Sequence, residues 1–81
     1  MVVAIEFLGE QRTITNTPGI KMPITEKTRV ADAIEYVKSH YPALHLDEAE
    51  VLIAVNQEMA SPDRILRAND TLLFLPFIHG G

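Results

Sequence analysis

The sequence predicts a small α+β domain in which one amphipathic helix packs on a mixed β-sheet. Its 81 residues allow a single domain. One stretch near the middle repeats apolar residues at helical spacing, and short runs typical of strands lie on both sides of it. Helices gathered on one face of a mixed sheet define the α+β class.

The N-terminal region predicts a strand and a second, weaker one. Residues 2–8 are rich in β-branched and aromatic side chains, which favour a first strand. Residues 12–15 alternate weakly, and 16–19 carry a turn signal with Pro18 and Gly19. Residues 20–24 then either extend the same hairpin or are irregular. One face of the first strand would carry Val3, Ile5 and Phe7.

A helix is predicted over residues 29–40. Thr28 is a suitable N-cap, and Pro42 disfavours helical geometry at Tyr41, so the helix should end there. The apolar stripe consists of Val30, Ala33, Ile34, Val37 and Tyr41.

The C-terminal region predicts three more strands. Residues 51–55 are a continuous apolar run, consistent with a strand buried on both sides, and Asn56-Gln57 turns the chain into a short strand at 58–60. A turn at 68–70 precedes a last strand at 71–78, which is apolar on both faces. This order of elements outlines a β-grasp (ubiquitin-like) fold, with one main helix on a mixed sheet, as a single domain over residues 1–81.

Composition argues against several classes of function. The net charge is -4 and the seven basic residues are scattered, whereas nucleic-acid binding needs a basic surface. No stretch reaches the roughly 18–20 apolar residues of a membrane span, and the N-terminus has no basic region typical of a signal peptide. We therefore expect a cytoplasmic protein with neither nucleic-acid nor membrane partners.

The side chains offer no self-contained catalytic set. There is no cysteine, so no side chain here can carry sulfur or provide a thiolate. The histidines His40, His45 and His79 lack the spacing of a helical metal pair, and no metal site is expected. Asp47, Glu48 and Glu50 form an acidic cluster, which is either a solvated loop or a docking patch for a basic partner.

The C-terminal Gly80-Gly81 is the distinctive feature of the sequence. Without side chains, two glycines let the backbone approach another surface closely, and we expect residues 78–81 to form a flexible tail. The terminal carboxylate, with a reference pKa near 3.5, is ionised at neutral pH and needs activation before it can act as an acyl donor. Two glycines can also end a chain without any function, so this signal alone leaves both interpretations open.

Several motifs together resemble the ubiquitin-like sulfur-carrier family, which includes the small subunit of molybdopterin synthase and the thiamine-pathway sulfur carrier. The family pattern has a Val-Asn-Gln/Gly turn, an acidic-Gly-Asp turn, a strand ending in Phe-x-Pro-Pro, and Gly-Gly last. Two positions depart from it: Asn69 replaces the turn glycine, and Phe77 stands where molybdopterin carriers usually have a second proline. The matching segments are Val55-Asn56-Gln57, Leu66, Asn69-Asp70, Leu73-Phe74-Leu75-Pro76 and Gly80-Gly81.

The resemblance implies a function for the tail. Gly81 would be adenylated by an E1-like adenylyltransferase that uses ATP, and then converted to a thiocarboxylate, with no cofactor bound to the carrier itself. The large subunit of molybdopterin synthase, or an equivalent sulfur-accepting enzyme, would hold the tail.

The last strand provides a separate argument from the residues, because residues 72–78 are apolar on both faces and one helix covers only one face of a small sheet. Its end, chiefly Phe74, Phe77 and Ile78, is either an exposed apolar patch that binds partners or part of a central core strand shielded by loops. His79 and Gly80 would extend the partner contacts along the tail.

Three alternatives remain open. The chain could serve another sulfur acceptor, such as the thiamine thiazole, a tRNA base or an amino acid. It could be a ubiquitin-like modifier that forms isopeptide bonds through Gly81. It could also be a β-grasp binding module whose Gly-Gly is idle.

Overall fold

A computed structural model describes residues 1–46 and 51–76 of the chain. The elements in chain order are β1 (Val2–Glu6), α1 (Glu10–Thr15), β2 (Gly19–Pro23), α2 (Val30–His40), a 3-10 turn (Pro42–Leu44), β3 (Val51–Val55), β4 (Glu58–Ala60) and β5 (Thr71–Pro76).

The five strands of the described part form one mixed sheet in the order β2-β1-β5-β3-β4. β1 pairs with β2 in antiparallel and with β5 in parallel orientation, while β3 pairs antiparallel with both β5 and β4. The longest helix, α2, buries its apolar stripe in the core that covers one face of this sheet. This is the predicted β-grasp arrangement, and the fold class is confirmed.

The main helix follows the predicted periodicity, and its first turn begins one residue later than expected. Arg29, rather than Thr28, occupies the N-cap position, with extended backbone angles. The Arg29 N–H donates to Oδ2 of Asp32 at 2.8 Å, so an acidic side chain satisfies a backbone donor at the helix start. At the other end the Tyr41 N–H donates to the Val37 carbonyl at 2.8 Å, and Pro42 follows as predicted.

Residues 12–15 form part of helix α1, so the interpretation of this segment as a strand is wrong. β1 ends at Glu6, and the chain turns into α1 at Gly9, whose φ of 52° favours glycine. Arg12 then donates from Nε to the Phe7 carbonyl at 2.8 Å, and Thr15 donates from Oγ1 to the Gln11 carbonyl at 2.8 Å. These contacts stabilise a short polar helix for which the sequence shows no apolar periodicity.

The Asn56-Gln57 turn and Asp70 are joined in one hydrogen-bonded cluster. Asn56 and Gln57 both have positive φ, 51° and 70°, which is the geometry of a two-residue hairpin turn between β3 and β4. Asn56 donates from Nδ2 to Oδ1 of the buried Asp70 at 2.8 Å and accepts the Thr71 N–H at 3.0 Å through Oδ1. The Arg67 N–H donates to the other Asp70 oxygen at 2.8 Å. The cluster therefore fixes the start of β5 against the end of β3.

Candidate functional site

The predicted tail begins where β5 ends. The described part of the chain includes β5 as far as Pro76. The predicted roles of Phe77, Ile78, His79, Gly80 and Gly81 lie outside the described residues, and they stay predictions. The strand that leads to them is therefore the part of the site that the structure defines.

β5 is the central strand of the sheet, and this position determines where the tail starts. It pairs with β1 from Thr71 to Leu73 and with β3 from Leu72 to Pro76. Pro76 has no N–H to donate. It lies three positions after Leu73, the last residue of β5 that pairs with β1. Since proline is tolerated where a strand lacks a neighbour on its donor side, its position fits the end of this strand. The central strand therefore ends five residues before Gly81 in the sequence.

The structure corrects the predicted role of Phe74. Its side chain is fully buried in the core together with Leu72, so in this structure it is not the exposed surface residue that the sequence suggested. Successive side chains of a strand point to opposite faces, which places Leu72 and Phe74 on the helix side and leaves Leu73 and Leu75 on the other. Both leucines are partly exposed.

The face of the sheet opposite α2 carries an apolar patch beside the tail. Cross-strand partners share a face, and the register pairs Leu75 with Leu52, Leu73 with Ala54, and Ala54 with Met59. Leu52 is 43% exposed and Met59 58% exposed. We call these five residues the open-face patch. It extends from β4 across β3 to β5, one residue before Pro76.

Sequence reasoning missed Leu52 and Met59 as surface residues. The run from Val51 to Val55 has no polar residue and so predicts a strand buried on both sides, yet Leu52 faces solvent. The sequence did indicate an exposed face, because one helix can cover only one face of a small sheet. Since side chains alternate along a strand, every second residue must then lie on the uncovered face.

The described residues form neither a metal-binding cluster nor a membrane-spanning helix. Within residues 1–46 and 51–76, no group of three or more His, Asp or Glu side chains is arranged to hold a metal ion. The helices in that same part of the chain are too short and polar for any of them to cross a membrane.

Comparison with known proteins agrees with the fold. The chain has the architecture of a ubiquitin-like sulfur carrier, a single helix-on-sheet domain whose central strand leads to Gly-Gly. It belongs to the ThiS family, whose model matches residues 5–81 and so extends to the last glycine. A search of curated protein sequences finds no match to this chain.

Solved structures show the same fold at low sequence identity. A Pyrococcus furiosus protein assigned as subunit 1 of a molybdopterin converting factor is 24% identical, with a TM-score of 0.83 over 96% of this chain and 99% of that one. The modifier protein SAMP1 from Haloferax volcanii is 19% identical, with a TM-score of 0.82 over the full length of both chains. The complex of subunits 1 and 2 of the Helicobacter pylori molybdopterin-converting factor contains a chain that is 17% identical, with a TM-score of 0.61 over all of both chains.

The assignment of β5 side chains to two faces predicts opposite effects for neighbouring substitutions. Phe74→Ala should lower the free energy of unfolding by about 3–5 kcal/mol, because it leaves a cavity in the core. Leu75→Ala is the matched control on the open face and should cost clearly less. Urea denaturation of both variants measures the difference. Equal losses would contradict the assignment of Phe74 to the core and Leu75 to the surface.

Proposed function

We propose that this protein is a sulfur carrier whose Gly81 carboxylate is adenylated and then converted to a thiocarboxylate. The observation that carries the proposal is that the central strand of a ThiS-family domain ends at Pro76, with only three residues between Pro76 and Gly80-Gly81 in the sequence. The proposed acceptor pathway is molybdopterin synthesis, with this chain as the small subunit of molybdopterin synthase. The likeness to the Pyrococcus protein and the motif pattern of the sequence support that pathway.

The chemistry follows from the state of the terminal group. An ionised carboxylate resists nucleophilic attack, so an E1-like adenylyltransferase would first join it to AMP, with ATP as the donor and pyrophosphate as the leaving group. A sulfur nucleophile supplied by a sulfurtransferase system then attacks the acyl carbon, and AMP leaves with the C–O electron pair. The carrier has no cysteine, so the sulfur comes from a partner and is held only at the terminus.

The length of the tail sets the depth of the partner's channel. Five residues follow Pro76, and a fully extended chain of that length spans at most about 18 Å. The domain is small and, in its described part, has no metal cluster, so the activating and accepting sites belong to larger proteins. Gly80 and Gly81 have no side chains, which lets a narrow channel admit the last part of the tail.

The open-face patch is the surface that we propose for docking those partners. It is apolar, partly exposed, and continuous with the strand that enters the tail, so a protein that binds it also receives the tail. We propose the large subunit of molybdopterin synthase as one occupant, and the Helicobacter pylori complex of subunits 1 and 2 shows that a protein of this fold assembles with a second subunit. The activating enzyme would use the same side of the molecule.

A second function is favoured by one specific match. SAMP1 of Haloferax volcanii, a small archaeal modifier protein, shares the fold over the full length of both chains, and SAMP1 of Methanosarcina acetivorans also matches. An adenylated Gly81 could equally form an isopeptide bond with a lysine amine. Recovery of Gly81 bonded to lysines of other proteins would support the modifier, whereas sulfur bound at Gly81 supports the carrier.

Deletion of Gly81 should abolish sulfur transfer. The new terminus falls about 3.3 Å short of the reacting centre, and a misplacement of about 1 Å can already cost roughly a hundredfold in rate. Gly80→Ala should impair transfer less completely, because it adds only a methyl group. The assay incubates each protein with a matching activating enzyme, ATP and a sulfur donor and follows thiocarboxylate by intact mass. Normal thiocarboxylate formation by the deletion variant would refute the proposal.

Leu52→Asp should weaken binding of the activating enzyme while the domain stays folded. The side chain is 43% exposed at the centre of the open-face patch, so the charge would be buried against an apolar partner surface. Lys21→Ala, an exposed position on the distant edge strand β2, is the control. Binding is measured by calorimetry and folding by circular dichroism. Unchanged affinity of the folded Leu52→Asp protein would exclude the patch from the interface.

A further inference from the structure

The last part of β5 is paired on one side only. Its pairing with β1 ends at Leu73, and residues 74–76 pair only with β3. We call these three residues the tail base. Strand ends with few partners open more readily than the centre of a sheet, so the tail base would be the weakest part of β5 without additional contacts.

The side chain of Gln11 supplies the missing contact. In the parallel β1–β5 pair the Ala4 N–H donates to the Asp70 carbonyl at 2.9 Å. If this pairing continued for four more residues along both strands, the Leu8 N–H would donate to the Phe74 carbonyl. The Gln11 carboxamide lies between these two groups instead. Its Oε1 accepts the Leu8 N–H at 2.9 Å, and its Nε2 donates to the Phe74 carbonyl at 2.9 Å.

Gln11 is itself held in place by the first turn of α1. Its backbone N–H donates to the Leu8 carbonyl at 3.0 Å, and its carbonyl accepts the Thr15 hydroxyl at 2.8 Å. The adjacent Arg12 binds the Phe7 carbonyl at 2.8 Å. The carboxamide is partly buried and pre-oriented, so it acts as an extra peptide group inserted where β1 and β5 diverge.

We propose that Gln11 is a positioning residue that holds the tail base in the geometry from which partners take up the tail. This inference rests on the proposed sulfur-carrier function. Phe74 lies two residues before Pro76. If the tail base separates from Gln11 and β3, the point and direction from which the tail leaves the sheet change. A partner then binds only the fraction of molecules with a closed base, and its apparent affinity falls by that fraction.

The substitution that tests this role is Gln11→Glu. The glutamate has nearly the same size and keeps an acceptor for the Leu8 N–H, but it places a carboxylate oxygen against the Phe74 carbonyl. A negative charge near the start of α1 also favours the helix, so the rest of the fold should be preserved.

A matched control exists at the opposite end of the same strand. The Asn56 carboxamide accepts the Thr71 N–H and donates to Asp70, as Gln11 accepts the Leu8 N–H and donates to Phe74. Asn56→Asp likewise removes the side-chain N–H donor and places the new carboxylate against that of Asp70. It should lower the overall stability of the domain at least as much as Gln11→Glu does, far from the tail base.

The experiment combines amide hydrogen exchange with the kinetics of adenylation by a matching activating enzyme. Loss of one hydrogen bond corresponds to about a two- to tenfold change in an equilibrium constant. In Gln11→Glu we expect exchange at Leu52 and Leu75 to accelerate by that factor. KM for the carrier should rise by the factor by which the closed fraction falls, up to about tenfold, while kcat stays within about twofold. In Asn56→Asp we expect the KM of the unmodified protein.

The outcomes separate this inference from the proposed function. If the unmodified protein is adenylated and thiocarboxylated and Gln11→Glu has the same KM, Gln11 has no positioning role. An equal rise of KM in both variants would show a general effect of stability and would also overturn the inference. If the unmodified protein is not adenylated, the proposed function fails, whatever hydrogen exchange shows at the tail base.

Discussion

β5 is hydrogen-bonded on both sides, in parallel to β1 and antiparallel to β3, and the rest of the molecule is built around this pairing. Leu72 and Phe74 fill the core under α2, while Leu73 and Leu75 contribute to the open-face patch. The same strand leads to Gly80-Gly81. One segment of chain therefore anchors the core, presents the proposed docking surface and precedes the proposed reactive end.

The motifs behind the family resemblance prove to have structural roles in the described part of the chain. Asn56 and Asp70 fix the start of β5, and Asn69 has a φ of 70° in the turn before it, where the family has glycine. These residues hold the strand. In the proposed function the covalent step takes place at Gly81, and activation, sulfur supply and the acceptor belong to other proteins.

Periodicity was sufficient to predict α2, most strands along the chain and, from their succession, the fold class, because a helical stripe or a strand-forming run is a local pattern. The orientation of Phe74 and Leu52 was wrong, since continuous apolar runs do not reveal which face of a strand each residue occupies. Helix α1 was missed because its contacts to the segment after β1, such as Arg12 to the Phe7 carbonyl, are polar. Gln11 binds a carbonyl 63 positions away, and no local pattern indicates such a contact. The role of Gly81 was inferred from the motifs and stays a proposal.

The central claim is that sulfur is carried at the C-terminal carboxyl group and nowhere else in the chain. The most direct measurement is tandem mass spectrometry of the protein after incubation with an activating enzyme, ATP and a sulfur donor. The account predicts that one oxygen is exchanged for sulfur and that the added mass lies in the fragment containing Gly81, with no gain when ATP is omitted. Sulfur recovered on any other fragment, or no exchange under conditions in which an established carrier is converted, would contradict it.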